Sequence, residues 1–323
     1  MRIVVIGGTG HIGSHLVPRL VRAGHEVVSF ARGTSQAYVD APEWDAVERV
    51  AVDRERADSD GTFAEMVATR RPDAVVDLIC FTPASAQALV DALRDRVGHL
   101  VHCGSIWRYG PSLKVPIREE EGTPPEGEYG IAKDAIARLL QRETASGGLA
   151  TTSVDPGHIV GPGWMPIGPL GSLDPDVWLR LSAGDTLLVP DGGTQLMHHV
   201  HADDVAQIFE RALERRDGAS GEAFSAVAPS ALSARGFAQI AAGWFGREAS
   251  LRSVGWDEFR AATPAEHAGA SWEHLHRNHC FSIDKAKRVL GYEPRYEPEA
   301  AILESIRRLI DDGGLEVATP LEV

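Results

Sequence analysis

Cysteine is scarce in this chain, with only Cys80, Cys103 and Cys280 among 323 residues. An odd number of cysteines scattered over such a length is not a disulfide framework, so a reducing cytoplasm is the expected compartment. Long apolar runs are missing too. No stretch reaches the ~18 apolar residues of a membrane span, and the short run in MRIVVIGG reads as a buried strand rather than a signal peptide. Dense Lys/Arg runs are also lacking, and 32 basic against 46 acidic side chains leave a formal charge of −14. An acidic chain repels phosphate backbones, so nucleic acid is not the expected partner. The remaining composition, 43% hydrophobic and 24% charged, supplies a core and excludes a mostly disordered chain. The length suits two lobes or one large α/β unit.

The first half alternates short apolar runs with amphipathic stretches. Ile3 to Ile6, Glu26 to Phe30, Val47 to Val52, Ala74 to Ile79, Leu100 to Cys103 and Thr151 to Val154 read as strands, with helical periodicity between them. The strands are continuous apolar runs, as burial on both faces requires, so the expected fold is α/β, a Rossmann-type doubly wound parallel sheet. From Pro156 to Pro175 Gly and Pro crowd into a loop expected to border a pocket. Helices are expected at Asp176 to Ala183, Asp203 to Arg215 and about Glu299 to Asp312. The division expected is 1–160 for the dinucleotide-binding domain and 161–323 for a smaller mixed α/β substrate lobe, with segments of 195–225 returning to the first.

Gly7-Gly8-Thr9-Gly10-His11-Ile12-Gly13 follows the first strand and opens the first helix. Glycines at 7, 10 and 13 permit a tight turn, close backbone approach to a pyrophosphate, and packing of helix on sheet. Strand, turn and helix together point to a dinucleotide site. Where an NAD site carries an acidic residue, after the second strand, this chain has Ala31 followed by Arg32. The small residue leaves room for a 2′-phosphate and the guanidinium can grip it, so NADP is expected, with NAD as the alternative. Asp53 is a candidate acceptor for the adenine amino group, or a cap for the turn before Arg54.

Tyr129 and Lys133 stand four apart in Tyr-Gly-Ile-Ala-Lys, on one face of a helix running to about Thr144. A free tyrosine titrates near pH 10 and is a poor base at neutrality; a nearby ammonium and a cationic nicotinamide would favour the phenolate. Ser105 lies just past the carboxyl end of the fifth strand, where ligands bind in such sheets, and can hold the reacting oxygen.

Together these residues resemble the extended short-chain dehydrogenase/reductases, and more narrowly the NAD-dependent epimerase/dehydratase group. The resemblance runs on through Pro156-Gly157-His158-Ile159-Val160-Gly161-Pro162, Val200-His201-Ala202-Asp203-Asp204-Val205-Ala206 and Ser282 to Pro294. It implies a catalytic triad of Ser105, Tyr129 and Lys133, cofactor contacts from Pro156, Gly157 and Ile159 beside the glycine loop, and a homodimer built on the helix carrying Tyr129. It also implies a sugar or sugar-nucleotide epimerase working through a keto intermediate. The alternatives are an NADPH-dependent ketoreductase of a sugar-like or small carbonyl substrate and, from another class, a non-catalytic dinucleotide-binding regulator.

Departures from the group narrow the reaction. Sugar-nucleotide 4,6-dehydratases carry Asp-Glu after the catalytic hydroxyl, whereas Ile106 and Trp107 stand here. The Asn and Arg with which many epimerases hold a nucleoside diphosphate align with His158 and Met197. Ala137 replaces a common glutamate. Trp107, His158, Trp164 and Met165 are the expected substrate contacts. His198, His199 and His201 beside Asp203 and Asp204 match a strand leading into a capped helix, so no metal site is expected there. The histidines from His267 to His279, with Cys280, lack regular ligand spacing and read as a loop over the pocket.

Overall fold

The computed structural model describes residues 1–34 and 36–323. Six parallel strands lie in the first half: β1 (Arg2–Ile6), β2 (Glu26–Ala31), β3 (Glu48–Ala51), β4 (Ala74–Asp77), β5 (His99–Cys103) and β6 (Thr151–Pro156). The chain then forms β7 (His158–Val160), β8 (Leu187–Pro190), β9 (Leu196–Met197) and β10 (His199–His201), and returns to the sheet with β11 (Ala223–Ala226). The sheet order is β11-β6-β5-β4-β1-β2-β3, parallel throughout. Reversal of direction at β1 and β4 makes the crevice at their carboxyl ends the place for a ligand.

Burial explains the apolar runs. Ile3, Val5 and Val101 face one packed layer, Val4, Val28 and Val75 the other. Edge strand β3 is the exception, reading Glu-Arg-Val-Ala and largely exposed. Helix α1 (His11–Arg22) buries Ile12, Leu16, Val17 and Leu20 at helical spacing. The first layer is completed by α1 and the helix Ala202–Glu214, locked together where Arg19 grips Asp203 with two bonds of 2.7 Å. The opposite layer contains helices Pro83–Leu93 and Gly127–Ala145.

A second core surrounds Trp178, Phe237, Phe245 and Ile302, beyond residue 160. Among the described residues no helix is long and apolar enough to cross a membrane.

Two local expectations change. Residues 265–275 are a helix rather than a loop, because Ala268, Ser271 and Leu275 recur on one buried face of an alanine-rich run opening after Pro264. The helix after β10 is capped by His201, whose Nδ1 accepts the Asp203 N–H at 3.0 Å, rather than by an aspartate. The aspartates are engaged elsewhere, Asp203 with Arg19 and Asp204 with the N–H groups of Arg295 and Tyr296.

Candidate active site

The dinucleotide end is built from backbone. Gly7 turns at φ +87° and donates its N–H to the Phe30 carbonyl at 2.8 Å, tying the turn to β2. A Cβ on Gly13 would lie 2.4 Å from the Gly8 carbonyl oxygen, so only glycine lets α1 start against the turn. Gly10 precedes the helix and contributes no side-chain cap. The first N–H groups of α1 therefore remain available to phosphate oxygens at the positive end of the helix. This geometry fits a dinucleotide. Thr9 is half-buried in the turn, whereas the Ile12 side chain belongs to the core, so Ile12 can offer a phosphate only its backbone.

Arg32 stands exposed one residue beyond β2, beside half-buried Ala31. Asp53 caps the helix Arg54–Ser59, accepting the Arg56 N–H at 3.0 Å. Its neighbour Arg54 is buried and paired with Asp77 at 2.5 Å and Asp58 at 3.2 Å. Beyond β6, a Cβ on Gly157 would meet the His198 carbonyl oxygen at 2.3 Å, so close approach of β10 requires glycine there. Pro156 ends β6, and Ile159 packs half-buried against the first core.

Two expected substrate contacts lie elsewhere. Trp164 stacks on His11 at 4.9 Å and meets Tyr38 edge-on at 5.9 Å, so it covers the glycine turn. Met165 packs against the second core. Their shared loop runs across the dinucleotide end, which the crowding of Gly and Pro could not reveal.

The proton-transfer end gathers Ser105, Tyr129 and Lys133. Ser105 Oγ accepts the Trp107 N–H at 3.2 Å, and the Trp107 ring in turn meets Tyr129. Lys133 is 1% exposed, and its Nζ donates to the carbonyls of Cys80 (2.8 Å) and Cys103 (2.7 Å). That ammonium stands 5.7 Å from the Tyr129 ring centroid. Tyr129 is 43% exposed, yet desolvation pushes its phenol up to about 12, and the neighbouring Ser105 hydroxyl opposes this. In the protein alone, desolvation outweighs any lowering of the Tyr129 phenol by Lys133.

A buried network fixes the Ser105 segment. Asp155 accepts from Ser153 (2.8 Å), Tyr109 (2.8 Å) and Arg108 (3.1 Å), and Arg108 reaches Asp134, next to Lys133 in sequence. A Cβ on Gly104 would lie 1.9 Å from Asp155 Oδ1. Breaking such a buried pair costs about 3–5 kcal/mol, so the geometry of Ser105 depends on it.

Trp107 and His158 do flank this centre. Trp107 meets Tyr129 edge-on at 5.9 Å and His274 at 5.0 Å, and His274 lies 5.0 Å from His158. The Arg277 guanidinium sits 4.0 Å above the Trp107 ring and pairs with Glu273 at 2.8 Å. Sequence reasoning placed His274 in a stretch over the pocket without giving it a role, and missed Arg277 and the Cys80 carbonyl. The i, i+4 pair Glu273/Arg277 was the available signal, but it has meaning only on a helix. Among the described residues no group of three or more His, Cys, Asp or Glu is arranged to hold a metal.

Residues 3–226 match the NAD dependent epimerase/dehydratase family. The chain belongs to that family. It is an NAD(P)-dependent enzyme of the extended short-chain dehydrogenase/reductase type. One relative is the 2′-dehydrokanamycin reductase of Streptomyces kanamyceticus, 32% identical over 205 residues. That match covers 63% of this chain and 55% of the reductase, so the chain aligns with about half of that relative. The UDP-glucose 4-epimerase of Lacticaseibacillus casei is 25% identical over 336 residues, covering 94% of this chain and 95% of that enzyme. Among solved structures, the UDP-glucose 4-epimerase of Thermotoga maritima, determined with UDP-glucose, superposes with a TM-score of 0.72 at 20% identity, covering 97% and 99% of the two chains. This likeness shows the shared fold, within which the epimerase/dehydratase chain brings Ser105, Tyr129 and Lys133 together.

Proposed function

We propose that this chain catalyses reversible hydride transfer between NADP(H) and a carbinol or ketone carbon of a sugar or sugar nucleotide, as an epimerase passing through a keto intermediate. The observation that carries the reading is Lys133, buried and anchored on two backbone carbonyls 5.7 Å from the Tyr129 ring, with Ser105 at the carboxyl edge of β5. Ser105 and Tyr129 hold the substrate oxygen between them, and the Tyr129 hydroxyl moves the proton. Lys133, with two donors on backbone carbonyls, has its third for a ribose hydroxyl. Gly7, Thr9, Gly10, His11, Ile12 and Gly13 hold the pyrophosphate through the turn and the start of α1. Arg32 takes the 2′-phosphate, Asp53 faces the adenine, and Pro156, Gly157 and Ile159 border the nicotinamide. When bound, the dinucleotide supplies or accepts the hydride.

A ketoreductase is the second reading. The 32% identity to a reductase supports the same reading.

Sugars and sugar nucleotides incubated with the protein separate the two, followed by cofactor absorbance and product stereochemistry together. Inversion without net absorbance change identifies the epimerase; stoichiometric NADPH consumption identifies the reductase. Retention of the biological output in Tyr129→Phe would instead indicate a non-catalytic regulator. The proposal includes a homodimer through the helix Gly127–Ala145, on which Ile131 is 54% exposed. Light scattering should give twice the chain mass.

A further inference from the structure

Neither ring nitrogen of His158 has a hydrogen-bond partner in the protein, and both are shut from solvent. A buried imidazole left without partners is costly, and it stands at the carboxyl edge of the sheet, two residues past β6. Ser105 stands two residues past β5, the neighbouring strand. From His158 a row of rings leads to the reacting centre, through His274 (5.0 Å) and Trp107 (5.0 Å) to Tyr129 (5.9 Å). On its other side His199 lies 5.1 Å away.

The neighbours fix their own tautomers. His199 donates from Nε2 to the Ile167 carbonyl at 2.9 Å, which leaves Nδ1 as an acceptor with no partner. His274 donates from Nδ1 to the Ala270 carbonyl at 2.8 Å. Burial holds all three imidazoles neutral, with repulsion from other histidines adding at His158 and His199: His158 well below its ordinary value, His199 down to about 4, and His274 lowered. The Arg277 guanidinium over Trp107 is already committed to Glu273 and to the Glu126 carbonyl at 3.2 Å. Met197 is wholly buried in the second core.

We infer that His158, flanked by His199 and His274, is a specificity-determining residue that binds hydroxyl groups of a phosphate-free sugar, with a nucleoside diphosphate excluded. A neutral imidazole offers one donor and one acceptor, as a sugar hydroxyl does. A diphosphate asks for charged donors, and this wall has none uncommitted. The inference rests on the hydride-transfer reading above and narrows its substrate to glycosides without a nucleotide.

The full-length protein loaded with NADP⁺ is titrated with UDP, UDP-galactose, methyl β-galactopyranoside and kanamycin A, using calorimetry and ligand-observed NMR. At least one phosphate-free glycoside should bind at least ten-fold tighter than UDP-galactose, and UDP should not bind. His158→Phe should weaken that glycoside ten-fold or more while leaving NADPH affinity unchanged. His158→Asn, which keeps a donor and an acceptor, should recover part of the loss. Binding of UDP, preference for UDP-galactose, absence of glycoside binding, or an unaltered His158→Phe each overturns the inference, and the first three need no variant. Tyr129-dependent turnover of UDP-galactose would overturn it while leaving the hydride-transfer function standing. Loss of the function itself would show as glycoside binding without NADP(H)-dependent conversion.

Discussion

At the dinucleotide end of the cleft the groups offered to a ligand are mostly backbone N–H groups, arranged by a turn that tolerates no Cβ at Gly13. At the other end, where we place the substrate, they are side chains: Ser105, Trp107, Tyr129, His158 and His274, carried by four separate stretches of chain. The first kind of site accepts one ligand chemistry whatever the neighbouring side chains do. The second can be rewritten residue by residue while the fold stays fixed. A family built this way can keep its cofactor and change its substrate.

Substitutions at the two ends should therefore fail differently. Tyr129→Phe removes the mobile proton and should lower kcat about 10³-fold, with NADPH affinity kept, in steady-state and fluorescence assays. Arg32→Ala should weaken NADPH about 10–100-fold and leave NADH unaffected, since a charge-assisted bidentate contact is lost. Equal loss for both cofactors would remove Arg32 from the 2′-phosphate. Gly13→Ala, with its Cβ against the Gly8 carbonyl, should cost about 1–3 kcal/mol in denaturant melts and impair both cofactors alike.

A separate effect, on stability, is in acid. His198, His199 and His279 are held down to about 4, below the ordinary 6.5, by burial. Between those values the unfolded chain takes up protons that the folded chain refuses. Stability is therefore full above pH 6.5 and falls towards pH 4, by up to about 1.4 kcal/mol per histidine and pH unit. Thermal melts from pH 7.5 to 4.5 should show that slope, and a flat profile would mean that burial does not hold these histidines neutral.

The same contrast explains what could be read from the chain beforehand. The glycine spacing, the continuous apolar strands and the Tyr129/Lys133 spacing are local patterns, and each marks a local structure. The meeting of His158, His199 and His274 is not local, because β7, β10 and the helix Ala265–Leu275 converge only after folding. Trp164 shows the opposite error: it follows a Gly/Pro loop near the expected pocket, yet stacking on His11 carries it to the other ligand's end. The rise of the Tyr129 phenol was also hidden, since sequence shows that Lys133 is close but not how far folding desolvates the phenol.

The position of β11 bears on how such enzymes can recombine. The chain leaves the sheet after β6, builds β7 to β10, and comes back for the seventh strand and the helix Ala202–Glu214 that packs on α1. Later still, Ala286, Leu290 and Tyr292 join the first core, with the Tyr292 hydroxyl on the Val227 carbonyl at 2.9 Å. A single crossover near residue 160 between two relatives would thus exchange a strand, a helix and part of the first core along with the sugar lobe. A chimaera that transplants substrate preference alone needs several junctions, each set where the chain passes between the two cores.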